Sequence, residues 1–455
     1  MTGKDSNGRG RVVPRGRLSR FGQFGRLAGS VAGGMLAEGA RRLATGERPH
    51  LRDMLLTPAN VGRFADRLSH LRGAAMKLGQ MISMDAGDLL PAELTEIMGR
   101  LRDSAHHMPP AQLQGVLARE WGSDWRARFS SFELRPIAAA SIGQVHRAIT
   151  RDGRELAIKV QYPGVRESID ADVDNVAALL RMSGALPKSF DVTPLLAEAK
   201  IQLAEEADYE REGRQMTLFG HLLADMPEVV VPTLAPDLTT SSVLAMTFLD
   251  GRAIETLDLA PQATRDAAVR TLISLVLREL FEFGVMQTDP NFANYRFQPG
   301  SGRLVLLDFG AARPVQASTV TGYRRLLQAG MAGDRPAVRD AAVAAGFMGS
   351  RTMARHSSRI DQMIDVIIGE LNRPGLFDFG DRGFVAALRD PGLEIAADSS
   401  AWHVPPADIL FVQRKISGTA LLAARLKARV DVRALVAPWL HEDGAQPGQS
   451  EPVST

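Results

Sequence analysis

The chain contains no cysteine. Disulfides, thiolate metal sites and cysteine nucleophiles are excluded at once. Aromatic residues make up only 6%, and no basic stretch interleaves with them, so a nucleic-acid surface is not expected. No uninterrupted apolar run reaches the roughly 18 residues that a membrane-spanning helix needs. The best stretch, Thr271 to Gly284, is cut by Arg278, Glu279 and Glu282. Any membrane attachment is therefore expected to be peripheral. No apolar segment follows the basic start as a secretory signal would require. An Arg-rich, acid-poor start also suits a mitochondrial transit peptide. The heavy Ala, Arg and Gly usage suits a GC-rich bacterial gene, and with it a cytoplasmic protein.

What is present is ordinary in amount and uneven in placement. The 455 residues are 45% apolar and 23% charged, with a net charge of +2. That length accommodates two or three domains. Residues 1–27 hold seven Lys or Arg against the single acid Asp5, a balance of +6, so the remainder sums to −4. The basicity belongs to an N-terminal arm, which suits anionic lipid headgroups. Gly22 to Ala44 reads as a helix with a short apolar face. Asn60 to Met84 is a strong amphipathic helix, with Val61, Phe64, Leu68, Leu71, Ala75, Leu78 and Ile82 at three- and four-residue spacing. The small residues near Gly29, Gly33 and Gly73 suit close helix packing, within one chain or in a homodimer. Ala157 to Val160, Glu228 to Leu234 and Ser242 to Leu249 read as strands. Asp191 to Phe219 reads as one helix, acidic in its middle. From Pro261 to Leu440 the pattern is helical, with the strand Leu304 to Leu307 as the exception.

The chemistry-bearing residues lie in the middle. Gln287-Thr288-Asp289-Pro290-Asn291-Phe292-Ala293-Asn294 is followed, fourteen residues on, by an Asp-Phe-Gly at Asp308. An Asp, an Asn five residues later and a strand ending in Asp-Phe-Gly are the catalytic loop and metal ligands of a protein-kinase-like fold. Asp289 is the expected catalytic acid. Asn294 and Asp308 are the expected magnesium ligands. Lys159, late in a strand, is the expected nucleotide lysine, and Glu206 its helix partner. Upstream, where a kinase has a glycine-rich loop, this chain has Ala138-Ala139-Ala140-Ser141. Alanine resists the positive-φ backbone of such a loop, though Ser141 and backbone N–H groups can still meet an anion. Gln287-Thr288 stands where a protein kinase has His-Arg, and no Ala-Pro-Glu follows Asp308. His146, just after the alanine loop, is expected to be structural.

One more helix carries Met76-Lys77-Leu78-Gly79-Gln80, with Lys77 and Gln80 on one face. Taken together, the Lys-x-Gly-Gln helix, the Ala-Ala-Ala-Ser-Ile-Gly-Gln-Val loop, the Glu206-x-Asp208 pair and the Gln-Thr-Asp-Pro-Asn-x-x-Asn loop resemble the ABC1/ADCK/UbiB family of atypical kinases, nearest its COQ8-like branch. The resemblance runs from about Arg15 to Leu440. It implies an α+β, two-lobed protein-kinase-like fold with a helical N-terminal extension. The expected division is a basic flexible arm at 1–27, the extension at 28–131, lobes at 132–250 and 251–440, and a disordered tail at 441–455. It implies ATP with Mg2+ as the cofactor pair, and a role in ubiquinone synthesis at a membrane, alongside quinone-precursor-like small molecules and other proteins of that synthesis. It places Lys77 and Gln80 over the active site, and Asp208 and Glu212 on the acidic helix beside the Lys159–Glu206 pair. A protein kinase acting in trans and a nucleotide-gated scaffold remain as alternatives.

Overall fold

The computed structural model describes residues 107–182, 193–381, 383–398, 403 and 405–441. The basic arm, the expected helices at 22–44 and 60–84 with Lys77 and Gln80, and the tail beyond residue 441 lie outside these residues. The described residues divide into two compact units, with boundaries after Thr217, Pro232 and Leu249.

The first unit opens with α1 (Pro110–Trp121), whose first position is a proline, the residue with φ preset for a helix start. Five strands follow: β1 (Phe129–Phe132), β2 (Ala138–Ala139), β3 (Gly143–Thr150), β4 (Glu155–Gln161) and, after an excursion into the second unit, β6 (Val243–Thr247). They form an antiparallel sheet in the order β1-β3-β4-β6, with β2 paired to the start of β3. In β4 every residue from Leu156 to Gln161 is buried, as a strand covered on both faces requires. The core joins Leu156, Ile158 and Val160 to Trp121, Trp125 and Phe129. Here the scarce aromatics are concentrated, with Trp121 and Phe129 ring centroids 5.4 Å apart. The Trp121 indole N–H is satisfied by the Leu238 carbonyl at 3.0 Å. Three helices complete the unit: α2 (Val165–Met182), α3 (Thr193–Glu206) and the first turns of α4 (Tyr209–Leu222).

His146 belongs to this core. It is wholly buried on β3, with Nδ1 2.8 Å from the Glu133 carbonyl and Nε2 2.8 Å from the Gln144 amide nitrogen. The neutral ring can donate at one nitrogen and accept at the other, which matches both contacts. Burial, aided by the nearby His107, lowers its pKa to about 4 against the pull of the Glu133 hydrogen bond. A histidine held below its unfolded pKa stabilises the fold above that value, and the contribution is lost as pH falls from about 6.5 toward 4. Between pH 7 and pH 5, urea unfolding of the wild type is expected to lose about 2 kcal/mol more than that of His146→Gln. Equal losses would refute this.

The second unit contains β5 (Val229–Val230), β7 (Arg252–Ala253), β8 (Val285–Gln287), β9 (Tyr295–Gln298), β10 (Arg303–Leu306), β11 (Ala312–Pro314), β12 (Phe377–Asp378) and β13 (Arg429–Val430). They make one sheet in the order β5-β10-β9-β7 and the pairs β8–β11 and β12–β13. The helices are α5 (Gln262–Arg278), α6 (Ala317–Ala332), α7 (Arg335–Ala344), α8 (Ser350–Arg355), α9 (Ser357–Leu371), α10 (Gly383–Ala397), α11 (Ala407–Arg425) and α12 (Val432–Val436). The interrupted apolar run is α5 continued by a single π-turn, Glu279–Phe283, and closed by Gly284 at φ 63°. It packs with Met286, Tyr323, Val412 and Val436 into the second core.

The strand pattern of this unit departs from the sequence expectation in two places. The strand expected over Glu228–Leu234 shrinks to Val229–Val230, since Pro232 cannot donate to a ladder. The largely helical reading after Pro261 missed β8, β9, β11, β12 and β13. These strands are two to four residues long, too short for a period to show.

Candidate active site

The first unit holds the expected lysine. Lys159 sits in β4, flanked in register by Val145 of β3 and Leu244 of β6. Its side chain is 9% exposed, and its ammonium donates to both oxygens of Glu212 at 2.8 and 2.9 Å. The same nitrogen stands 5.1 Å from the Tyr209 ring centroid. Gln161, two residues along and so on the same face of the strand, donates to the Ala207 carbonyl at 2.8 Å. One face of β4 thus fixes both the lysine and the corner between α3 and α4.

That corner departs from the sequence reading. The expected single helix over Asp191–Phe219 is two helices, because Asp208 caps a new one. Its Oδ1 accepts from Arg211 N at 2.9 Å, and a carboxylate that takes a backbone N–H in this way starts a helix rather than continuing one. The break turns the first turn of α4 toward β4. The carboxylate that takes Lys159 in two hydrogen bonds is therefore Glu212, where the sequence had put Glu206. Glu206 ends α3 and accepts from the Ser141 hydroxyl at 2.5 Å.

The alanine loop is a tight hairpin. Ala138 and Ala139 pair with Val145 and Gln144, and Ala140 N donates to Gly143 O at 2.9 Å. Gly143 must be glycine. A Cβ there would lie 2.9 Å from the Tyr209 hydroxyl and closer still to the Val160 carbonyl.

The second unit gathers the other three expected residues, all half-buried. Two antiparallel pairings do this. Asn294 precedes β9 and Asp308 follows β10, and Leu307 N donates to Asn294 O at 3.0 Å beyond the Leu306–Tyr295 pair. Asp289 follows β8 and Asp308 precedes β11. There Thr288 gives both its N–H and its hydroxyl to the Ala311 carbonyl, at 3.1 and 2.9 Å. Thr288, noted in the sequence only as a departure from His-Arg, is thus the clasp between the two segments. Inside the loop, Asn294 Nδ2 donates to Asp289 O at 3.3 Å and Asn291 N to Asp289 Oδ1 at 3.3 Å. Asp308 Oδ1 accepts from Gly310 N at 3.0 Å. Phe309, 1% exposed, packs on Phe219 with centroids 5.2 Å apart.

The donor chemistry fits magnesium. With its amide nitrogen committed to Asp289 O, Asn294 is left with an oxygen to offer, and Asp308 is a carboxylate. Magnesium takes hard oxygen ligands, typically one or two carboxylates completed by phosphate and water. Among the described residues no group of three or more His, Cys, Asp or Glu gathers.

Sequence reasoning missed the support beneath this loop. Lys415 of α11, 2% exposed, lies 3.2 Å from Glu279 Oε2, 3.1 Å from the Tyr295 hydroxyl and 3.4 Å from Gln287 Oε1. Burial raises the pKa of Glu279 and of Tyr295. Burial alone would lower that of Lys415, but the facing Glu279 and Tyr295 outweigh it and hold it above its ordinary value. The signal available was Glu279 itself, one of the three charges that cut the apolar stretch Thr271 to Gly284.

Residues 100–342 match the ABC1 atypical kinase-like domain. The chain is 37% identical over 423 residues to "Atypical kinase COQ8, mitochondrial" of Saccharomyces cerevisiae, covering 92% of this chain and 83% of that one. It is 38% identical over 437 residues to "Atypical kinase COQ8B, mitochondrial" of Rattus norvegicus, covering 95% and 82%. A solved structure from Mycobacterium tuberculosis, Rv3197 in complex with erythromycin, is similar at a TM-score of 0.60 and 26% identity, covering 85% of this chain and 95% of that chain.

Proposed function

Because this chain belongs to the ABC1 atypical kinase-like family, we propose that it binds ATP with magnesium and turns it over in support of ubiquinone biosynthesis at a membrane surface. The observation that carries the reading is the double pairing that draws Asp289, Asn294 and Asp308 together in the second unit. Asn294 and Asp308 would hold the metal. When bound, magnesium neutralises charge on the phosphoryl oxygens. Asp289 orients the attacking hydroxyl or water and accepts its proton. Lys159, kept in place by Glu212, binds nucleotide phosphate. Ser141 and the alanine hairpin Ala138–Ala140 line the nucleotide, and the Ser141–Glu206 hydrogen bond fixes that loop's position. Among the described residues no helix is long and apolar enough to cross a membrane. Contact with anionic lipid is assigned to the basic residues 1–27, and quinone-precursor-like phenols and partner proteins are met at the membrane.

The test is the magnesium-dependent ATPase rate, with and without anionic liposomes and a quinone-precursor-like phenol, in wild type and Asp289→Asn. Turnover that rises with lipid and phenol, and falls roughly 100-fold or more in the variant, is expected. Nucleotide binding without turnover in either protein would replace this reading with a nucleotide-gated scaffold. Labelled phosphate transferred to a protein, and lost on Asp289→Asn, would replace it with a kinase acting in trans.

A further inference from the structure

The Asp289–Asn294 loop is short, and helix α11 touches it at its start, its middle and its end. At the start, Gln287 Oε1 lies 3.4 Å from Lys415 Nζ. At the end, the Tyr295 hydroxyl lies 3.1 Å from the same nitrogen. In the middle, Pro290, next to Asp289, packs on Gly418, one helical turn beyond Lys415. A Cβ on Gly418 would lie 2.7 Å from Pro290 Cγ and closer still to its Cβ. The contact is thus backbone against ring, with no side chain to yield. Glu279 closes the arrangement from the π-turn. It faces the Lys415 ammonium at 3.2 Å and accepts from Gln287 N at 3.3 Å. π-turns of this kind tend to be kept where they aim functional groups.

We propose that Lys415 and Gly418 are positioning residues, and that α11 sets the placement of the Asp289 loop for the phosphoryl-transfer step. The proposal rests on the ATP-turnover reading above. Neither residue needs to touch substrate. Lys415 tethers both ends of the loop through one buried cation, and Gly418 fixes how closely its middle can approach the helix. A buried, tightly packed contact transmits a displacement rather than absorbing it. A shift of about 1 Å in a group that orients a reacting atom can cost on the order of 100-fold in rate. Binding of the nucleotide phosphates through Lys159 draws on other residues and is expected to be unaffected.

The experiment compares kcat and KM for magnesium-ATP in wild type, Gly418→Ala, Pro290→Gly and the double variant, with Asp308→Asn as the control. Gly418→Ala is expected to lower kcat roughly 10- to 100-fold while KM for ATP stays within about threefold. In the Pro290→Gly background, where the opposing ring carbons are gone, the same Gly418→Ala change is expected to lower kcat by no more than about threefold. A loss of helix stability alone would not depend on Pro290. Equal losses in the two backgrounds, or an unchanged kcat in Gly418→Ala beside an inactive Asp308→Asn, would overturn the proposal. Turnover that survives Asp308→Asn would take down the underlying reading, and this proposal with it. Should Gly418→Ala fail to fold, Lys415→Arg keeps the charge but changes its reach. It is expected to lower kcat about tenfold at constant KM, and an unchanged kcat would overturn the proposal by itself.

Discussion

Asp308→Asn is expected to reduce magnesium-dependent ATP turnover by roughly 1,000-fold while leaving the fold intact. The substitution is nearly isosteric. The hydrogen bond that Gly310 N gives to Asp308 Oδ1 at 3.0 Å can be kept by the asparagine oxygen, so the turn into β11 has no reason to move. What is lost is a negative charge at an ion. Neutral amide oxygens do coordinate magnesium, as Asn294 is proposed to do, but two of them and no carboxylate fall short of the usual ligand set. Removing one preorganised electrostatic partner of a developing charge costs about 100- to 1,000-fold in rate, and loss of the ion itself costs more. The variant should therefore unfold at the wild-type temperature within a degree or two, and raising magnesium should recover little of the rate. The check is a magnesium titration of turnover and of ADP binding in both proteins. Turnover within tenfold of wild type at saturating magnesium would remove Asp308 from the metal site.

The ease with which these residues were found in the sequence follows from how each is held. Asp289, Asn294 and Asp308 lie on one short stretch joined by tight pairings, so their spacing along the chain nearly dictates their spacing in the fold. Strand β4 was legible because Ala157–Val160 is a continuous apolar run broken only by Lys159, and a covered strand demands such a run. The partner of Lys159 was harder. Glu206 and Glu212 are both acids of one apparently helical segment, and the cap at Asp208 is what brings Glu212 to Lys159. The signature of a cap is local and short, whereas helical periodicity averages over many residues and hides it. The alanine loop is a paired hairpin, a geometry that its alanines alone did not specify. What could not be read was Lys415. It lies 128 positions from Gln287, beside Arg414 in a helix where one more basic residue draws no notice. Its partners come from three separate elements, and no periodicity encodes a contact of that kind.

The buried Lys415–Glu279 pair yields the second large effect, this time on stability. Lys415→Met fills a similar volume but leaves Glu279, with no measurable exposure, facing an apolar group. Breaking a buried pair from one side typically costs about 3 to 5 kcal/mol, whereas replacing both charges is often close to neutral. The double variant Lys415→Met/Glu279→Gln is therefore expected to be more stable than Lys415→Met alone. The glutamine keeps an oxygen for Gln287 N, the contact Glu279 makes at 3.3 Å. The pH dependence provides a separate check. Burial already raises the pKa of Glu279, and removal of the facing cation raises it further. A carboxyl whose folded pKa lies above its unfolded value favours the fold at low pH and loses that contribution as pH rises through the folded pKa. Lys415→Met should therefore be most destabilised relative to wild type near pH 8 and least near pH 5, and the double variant should show no such slope. Urea unfolding of the three proteins at the two pH values measures this. If the single variant is as stable as the double at pH 8, the pair is not the buried, mutually dependent unit that its distances and burial describe.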